Sequence, residues 1–98
     1  MIPSSLSQAR RDPRLRRFAK AVVALQFCHE YLDTQDYRPL KIEIVAREVL
    51  CDFGTAVAAL RTLVALGYIA RGPRPHGDAR HYRLLPAPLL PDIKRRAA

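Results

Sequence analysis

The sequence predicts a mainly α-helical domain closed by a small β-hairpin, and three observations carry that expectation. Phe18, Val22, Leu25, His29 and Leu32 recur at spacings of four, three, four and three, the stripe of an amphipathic helix. Two shorter helical patterns, IEIVAREVL and TAVAALRTLVALG, flank the turn-like CDFG. The stretch ARGPRPHGDARHYRLL then reads as two short β segments around a basic loop. At 98 residues and 49% hydrophobic, the chain can bury one modest core and hardly two.

Taken in order, residues 1–12 read as a basic flexible leader. A helix is expected from Pro13, a residue suited to a first helical turn, with Asp12 as its cap. Ala19, Ala21 and Val23 widen its apolar stripe, and it should end around Thr34 to Asp36. Tyr37 to Leu40 reads as a connector. In the next helix Ile42, Val45, Ala46, Val49 and Leu50 share a face, and Asp52 is placed to cap the helix after it or to tighten the turn. That helix turns Ala56, Ala59, Leu60, Leu63 and Val64 inward and stops at Gly67. Tyr68-Ile69-Ala70 forms one strand and His81 to Leu84 its partner, with alternation sending Tyr82 and Leu84 to the core side. The domain proper is therefore expected over 13–85. Residues 86–98 make a proline- and leucine-rich basic tail whose Leu89, Leu90 and Ile93 are apolar enough to pack on the domain or on a second subunit.

Charge is segregated. Residues 1–20 carry six Arg/Lys against Asp12, residues 21–70 four against six acids, and residues 71–98 seven against Asp78 and Asp92. Two basic ends around a slightly acidic middle favour a polyanion or an acidic surface as partner. Arg10, Arg11, Arg14, Arg16 and Arg17 gather at a helix entrance, where the helix dipole disfavours cations, so they are expected to serve something other than helix stability. Lys94-Arg95-Arg96 is a weaker version of the same signal.

Other classes find little support. No apolar run is long enough to cross a membrane, and MIPSSLSQARRDPRLRR lacks the apolar block of a signal peptide, so a cytoplasmic protein is expected. Cys28 and Cys51 are too few for a disulfide framework. Cys28 and His29 are adjacent, hence about 100° apart on a helix, and make no catalytic pair. Two thiols without a Cys/His spacing pattern argue weakly for zinc. No glycine-rich phosphate loop, carboxylate pair or nucleophile elbow occurs, so neither an enzyme nor a cofactor or metal is expected.

The order helix, turn, helix, hairpin now has a precedent. VAREVLCDFGTAVAALRTLVALGYIARGPRPHGDARHYRLL resembles the winged helix-turn-helix domains of small bacterial or phage transcriptional regulators, those of the multiple-antibiotic-resistance type among them. The resemblance covers roughly residues 40 to 85. LRTLVALGYIAR is similar to the end of a recognition helix and the entry to a wing, and DARHYRLL to the wing's return. Ala46 matches the small residue where the two helices cross, and Leu60 and Leu63 match inward positions.

Such domains set the second helix of the motif in the major groove and the wing on phosphate or the minor groove. The resemblance implies that Gly54, Thr55, Val57, Ala58, Arg61 and Thr62 face the groove, while Arg74, His76 and Arg80 lie on or beside the wing. Thr55 would meet a phosphate or a base edge, with backbone N–H groups at the helix start assisting. Arg10, Arg11, Arg14 and Arg17 would form an arm along the backbone. Arg80 has a competing role, an ion pair with Asp78. The sequence departs from the family at two points. The turn position often filled by glycine is Leu50, which predicts a longer or differently bent turn. The reading face is also poor in the Arg, Asn, Gln and Lys that read base edges.

The implied function is double-stranded DNA binding by a homodimer, with transcription regulated by operator occupancy. The alternative is a winged-helix protein–protein interaction module, in a macromolecular assembly or as a small phage protein on a host complex.

Overall fold

A computed structural model describes residues 5–72 and 80–86 of the chain. The elements run α1 (Ser5–Arg11), a 3-10 turn (Pro13–Leu15), α2 (Ala19–Tyr31), β1 (Arg38–Leu40), α3 (Ile42–Val49), α4 (Phe53–Ala65), β2 (Ile69–Arg71) and β3 (Arg80–Leu84). The fold is mainly α-helical with a small antiparallel sheet in strand order β1-β3-β2. This is a winged-helix-like architecture: three helices pack together, and the strand between the first two joins the hairpin that follows the third.

The core is where the three apolar faces meet. Ala21, Ala24, Leu25 and Cys28 of α2, Val45 and Val49 of α3, and Ala56, Ala59, Leu60 and Leu63 of α4 are all buried. The α2 stripe is rotated from the expected one: small residues at 21 and 24 form its centre, and Phe18 and Val22 lie at its edge, half-buried. Alanines there let α4 approach closely, so volume is filled by leucines from the opposite side. Tyr82 and Leu84 are buried on the sheet's inner face, as their alternation predicts.

Both ends of the first long helix differ from expectation. Asp12 does cap, but it caps the 3-10 turn, accepting the Arg14 N–H at 2.9 Å, and α2 begins only at Ala19. Breaking the helix there turns Leu15 into the core, at 1% exposure. The stretch read as a flexible leader carries α1, with Gln8 and Ala9 buried. At the other end α2 stops at Tyr31, because the Asp33 side chain accepts the Gln35 N–H at 3.0 Å and closes a local turn.

The expected connector contains a strand. β1 pairs with β3 in the register Arg38↔Tyr82, Pro39↔His81 and Leu40↔Arg80. Pro39 lacks an N–H, which is tolerable only on an edge strand, and β1 is an edge.

Leu50 itself makes the turn between α3 and α4. Leu50 takes the left-handed conformation at φ 59°, the Cys51 N–H reaches the Ala46 carbonyl at 3.0 Å, and the Leu50 N–H faces the Arg47 carbonyl at 3.4 Å. Gly67 ends α4 in the same way at φ 86°, with Tyr68 N–H on the Leu63 carbonyl at 2.9 Å and Gly67 N–H on Val64 at 3.1 Å. Both are the hydrogen-bonded helix stop that ordinarily uses glycine. Leucine at the first therefore leaves the α3 face and stands in solvent, 83% exposed.

Candidate nucleic-acid interface

The outward face of α4 follows from its inward one. At about 100° per residue, the side opposite Ala56, Leu60 and Leu63 centres on Arg61, the sole charged residue of this helix. Phe53, Val57 and Val64 lie to one side of it, and Gly54, Ala58 and Ala65 to the other. Gly54, Ala58, Arg61 and Ala65 are exposed, and Val57 is half-buried. Thr55 and Thr62 sit about a third of a turn from Arg61 and are half-buried, at the margin of the face.

Thr55 is committed within the helix. Its N–H donates to Asp52 Oδ1 at 2.7 Å, so the donor expected to meet a phosphate is taken. The Thr55 side chain and N–H hold the Asp52 carboxyl below its ordinary value. An ionised carboxylate thus occupies the start of α4 and would repel phosphate there.

The attractive charge lies at the other end of α4. Arg71 closes β2, Arg80 opens β3, and both approach Arg61 around a hollow of about 160 Å³ lined further by Val64, Ala65 and Tyr82. The hairpin register makes this possible: Arg71 stands opposite Tyr82, two residues beyond Arg80 on the central strand. Among the described residues the ion pairs are Arg14–Asp12 and Arg38–Asp33, so none of the three hollow arginines is neutralised there by a described acid. Three arginines lining one hollow supply the kind of group that holds a phosphate through charge-assisted hydrogen bonds.

The sequence singles out Arg61 and Arg80 but not Arg71, whose place beside them becomes recognisable only once its strand pairing is known. The other arginines differ in availability. Arg10, Arg11 and Arg17 are exposed on and after α1, and neither they nor Arg14 line the hollow. Arg14 is bound to Asp12 through Nε at 2.9 Å and Nη2 at 2.7 Å. Arg83 donates to the Thr34 carbonyl at 3.2 Å and lies 5.4 Å from the centre of the Tyr37 ring. Arg74 and His76 lie outside the described residues, as do Asp78 and the tail from residue 87 onward.

Lys20 is likewise not singled out by the sequence as part of this surface. Its Nζ donates to the carbonyls of Val49 at 3.0 Å and Leu50 at 3.2 Å, placing a cation at the turn before α4. It satisfies carbonyls at the end of α3, where the helix dipole favours positive charge.

Among the described residues the thiols and imidazoles form no metal-binding cluster. Burial pushes the Cys28 thiol up to about 12, which keeps it protonated and inert. His29 is half-buried on α2, and burial lowers its basicity. Among the described residues no group of three His, Cys, Asp or Glu side chains is arranged to hold a metal. No described helix is long and apolar enough to cross a membrane. Comparison with protein-family models, curated proteins and solved structures finds no match to this chain.

Proposed function

We propose that the protein binds double-stranded DNA and regulates transcription by occupying an operator. The observation that carries this reading is the convergence of Arg61, Arg71 and Arg80 on one hollow between α4 and the hairpin. In a winged-helix arrangement the hollow would lie over the sugar–phosphate backbone when α4 addresses the major groove. A backbone phosphate then supplies the charge that the described surroundings lack. Arg10, Arg11 and Arg17 add sequence-independent attraction. Its action is occupancy, without catalysis, and a homodimer would extend the contact beyond what one small module supplies.

Fluorescence-anisotropy titrations against a duplex from the protein's own upstream region and a scrambled duplex, at several salt concentrations, test this. Affinity should fall steeply with salt. Arg71→Ala and Arg80→Ala should weaken binding to both duplexes, each reducing the salt slope by about one. Absence of binding at low salt, or arginine variants that bind like the parent, would sink the proposal.

A second reading has its own observation. Phe53 is 53% exposed beside the still more exposed Leu50, a pairing suited to a protein–protein interaction module. On that reading the duplex titration is flat, and binding to a protein partner changes little with salt.

A further inference from the structure

We infer that the apolar face of α4 reads the 5-methyl groups of pyrimidines in the major groove, so that the protein selects thymine-rich duplex over duplex lacking those methyls. This rests on the DNA-binding reading and names what the helix recognises there.

The argument begins with what the face lacks. From Phe53 to Ala65 its outward residues are Phe53, Gly54, Val57, Ala58, Arg61, Val64 and Ala65, so a single side chain can donate hydrogen bonds to a base edge. The only apolar feature that bases offer in the major groove is the pyrimidine 5-methyl group. Leu50 and Phe53 together present more exposed apolar surface than any other described neighbours in sequence. Glycine and alanine at 54 and 58 leave room for the helix to come close to the groove floor.

The charges beside this face specify its occupant. At one end Lys20 holds a cation against the Leu50 carbonyl and offsets the exposed Asp52 carboxylate that caps α4 there. Arg61, with Arg71 and Arg80 behind it, stands at the other. Phe53 and Arg61 are eight residues apart, about 12 Å of helical rise, which matches the roughly 12 Å width of the B-DNA major groove. The apolar face therefore runs about one groove width before it reaches Arg61, and the arginines beside it complement methyl groups that lie next to a phosphate backbone. An ordinary apolar protein partner would have to leave the three arginines unpaired or supply acids beside them.

The test compares short duplexes that differ only in that methyl group. Alternating A·T duplex is titrated against its deoxyuridine counterpart, and alternating G·C duplex against its 5-methylcytosine counterpart, at physiological salt. Thymine should bind more tightly than uracil by about fourfold for each methyl removed from water. Methylation of cytosine should restore affinity to the G·C duplex. Phe53→Ala combined with Leu50→Gly, both at exposed positions, should erase the two ratios while leaving the salt slope intact. Equal affinity within each pair overturns the inference and leaves DNA binding standing. A preference for thymine over uracil without any gain from methylcytosine assigns the effect to duplex shape and also overturns it. Failure to bind all four duplexes at low salt overturns the DNA-binding reading itself.

Discussion

The Tyr68 hydroxyl donates to Asp12 Oδ2 across 2.8 Å, joining residues 56 apart in sequence. Tyr68 is fully buried where α4 hands over to β2, and Asp12 is 1% exposed at the start of the 3-10 turn. This bond, with the Arg14 bridge to the same carboxylate, ties the N-terminal segment to the base of the hairpin. Asp12→Ala leaves the Tyr68 hydroxyl without its partner and should cost about 2–3 kcal/mol, against about 1.5 kcal/mol for Tyr68→Phe. Urea denaturation of the two variants checks the order. Equal losses would mean that the carboxylate does nothing beyond accepting the tyrosine.

Acid should release the same bond. Burial raises the Asp12 carboxyl, but hydrogen bonds from Arg14 and Tyr68 outweigh it and hold the group below its ordinary 3.8. A lowered folded-state value means that the stabilisation is complete above pH 3.8 and disappears as pH falls through the lower, folded value. Thermal melts below pH 4 should converge for the parent and Asp12→Asn. Curves that stay parallel through that range would remove Asp12 from the acid response.

Leu50 bears a backbone conformation that leucine disfavours, with little side-chain burial to offset it. Leu50→Gly should therefore raise stability by about 0.5–1 kcal/mol, after glycine's greater freedom in the unfolded chain is subtracted. An increase of a few degrees in Tm would show it. A decrease would mean that the leucine packs on something in the folded protein.

Gly72 is required for a different reason. A β-carbon there would meet the Tyr37 ring at 2.6 Å, and the Gly72 N–H is bonded to the His81 carbonyl at 2.7 Å. Gly72→Ala must displace Tyr37 from beside Arg83, at a cost of about 1–2 kcal/mol. Tyr37→Ala should make the same glycine substitution nearly harmless. Additivity of the two in a double-mutant cycle would refute the steric account.

The two thiols should separate cleanly under alkylation. Cys51 is half-buried in the turn, whereas Cys28 is fully buried and protonated. Iodoacetamide on the native protein should label Cys51 well before Cys28, and urea should equalise them. Peptide mass mapping reads the order, and early labelling of Cys28 would show that α2 opens readily.

What the sequence by itself determined was local. The apolar spacing of α3 and α4, the Gly67 stop, the capping aspartates at 12 and 52, and the alternation around Tyr82 depend on neighbours a few residues away. Their physical causes, helical period, side-chain capping and strand pleat, are legible in one dimension. The tertiary structure decided the rest. Arg38–Leu40 became a strand because β3 offered it partners, despite Pro39. Leu50 became left-handed because α3 must stop there for α4 to cross it, and packing outweighed the residue's own preference. Arg71 joined Arg61 and Arg80 because hairpin register carried it across the sheet to α4. Strand pairing, helix crossing and charge convergence are energies between distant segments, and their existence depends on a partner that linear pattern does not identify.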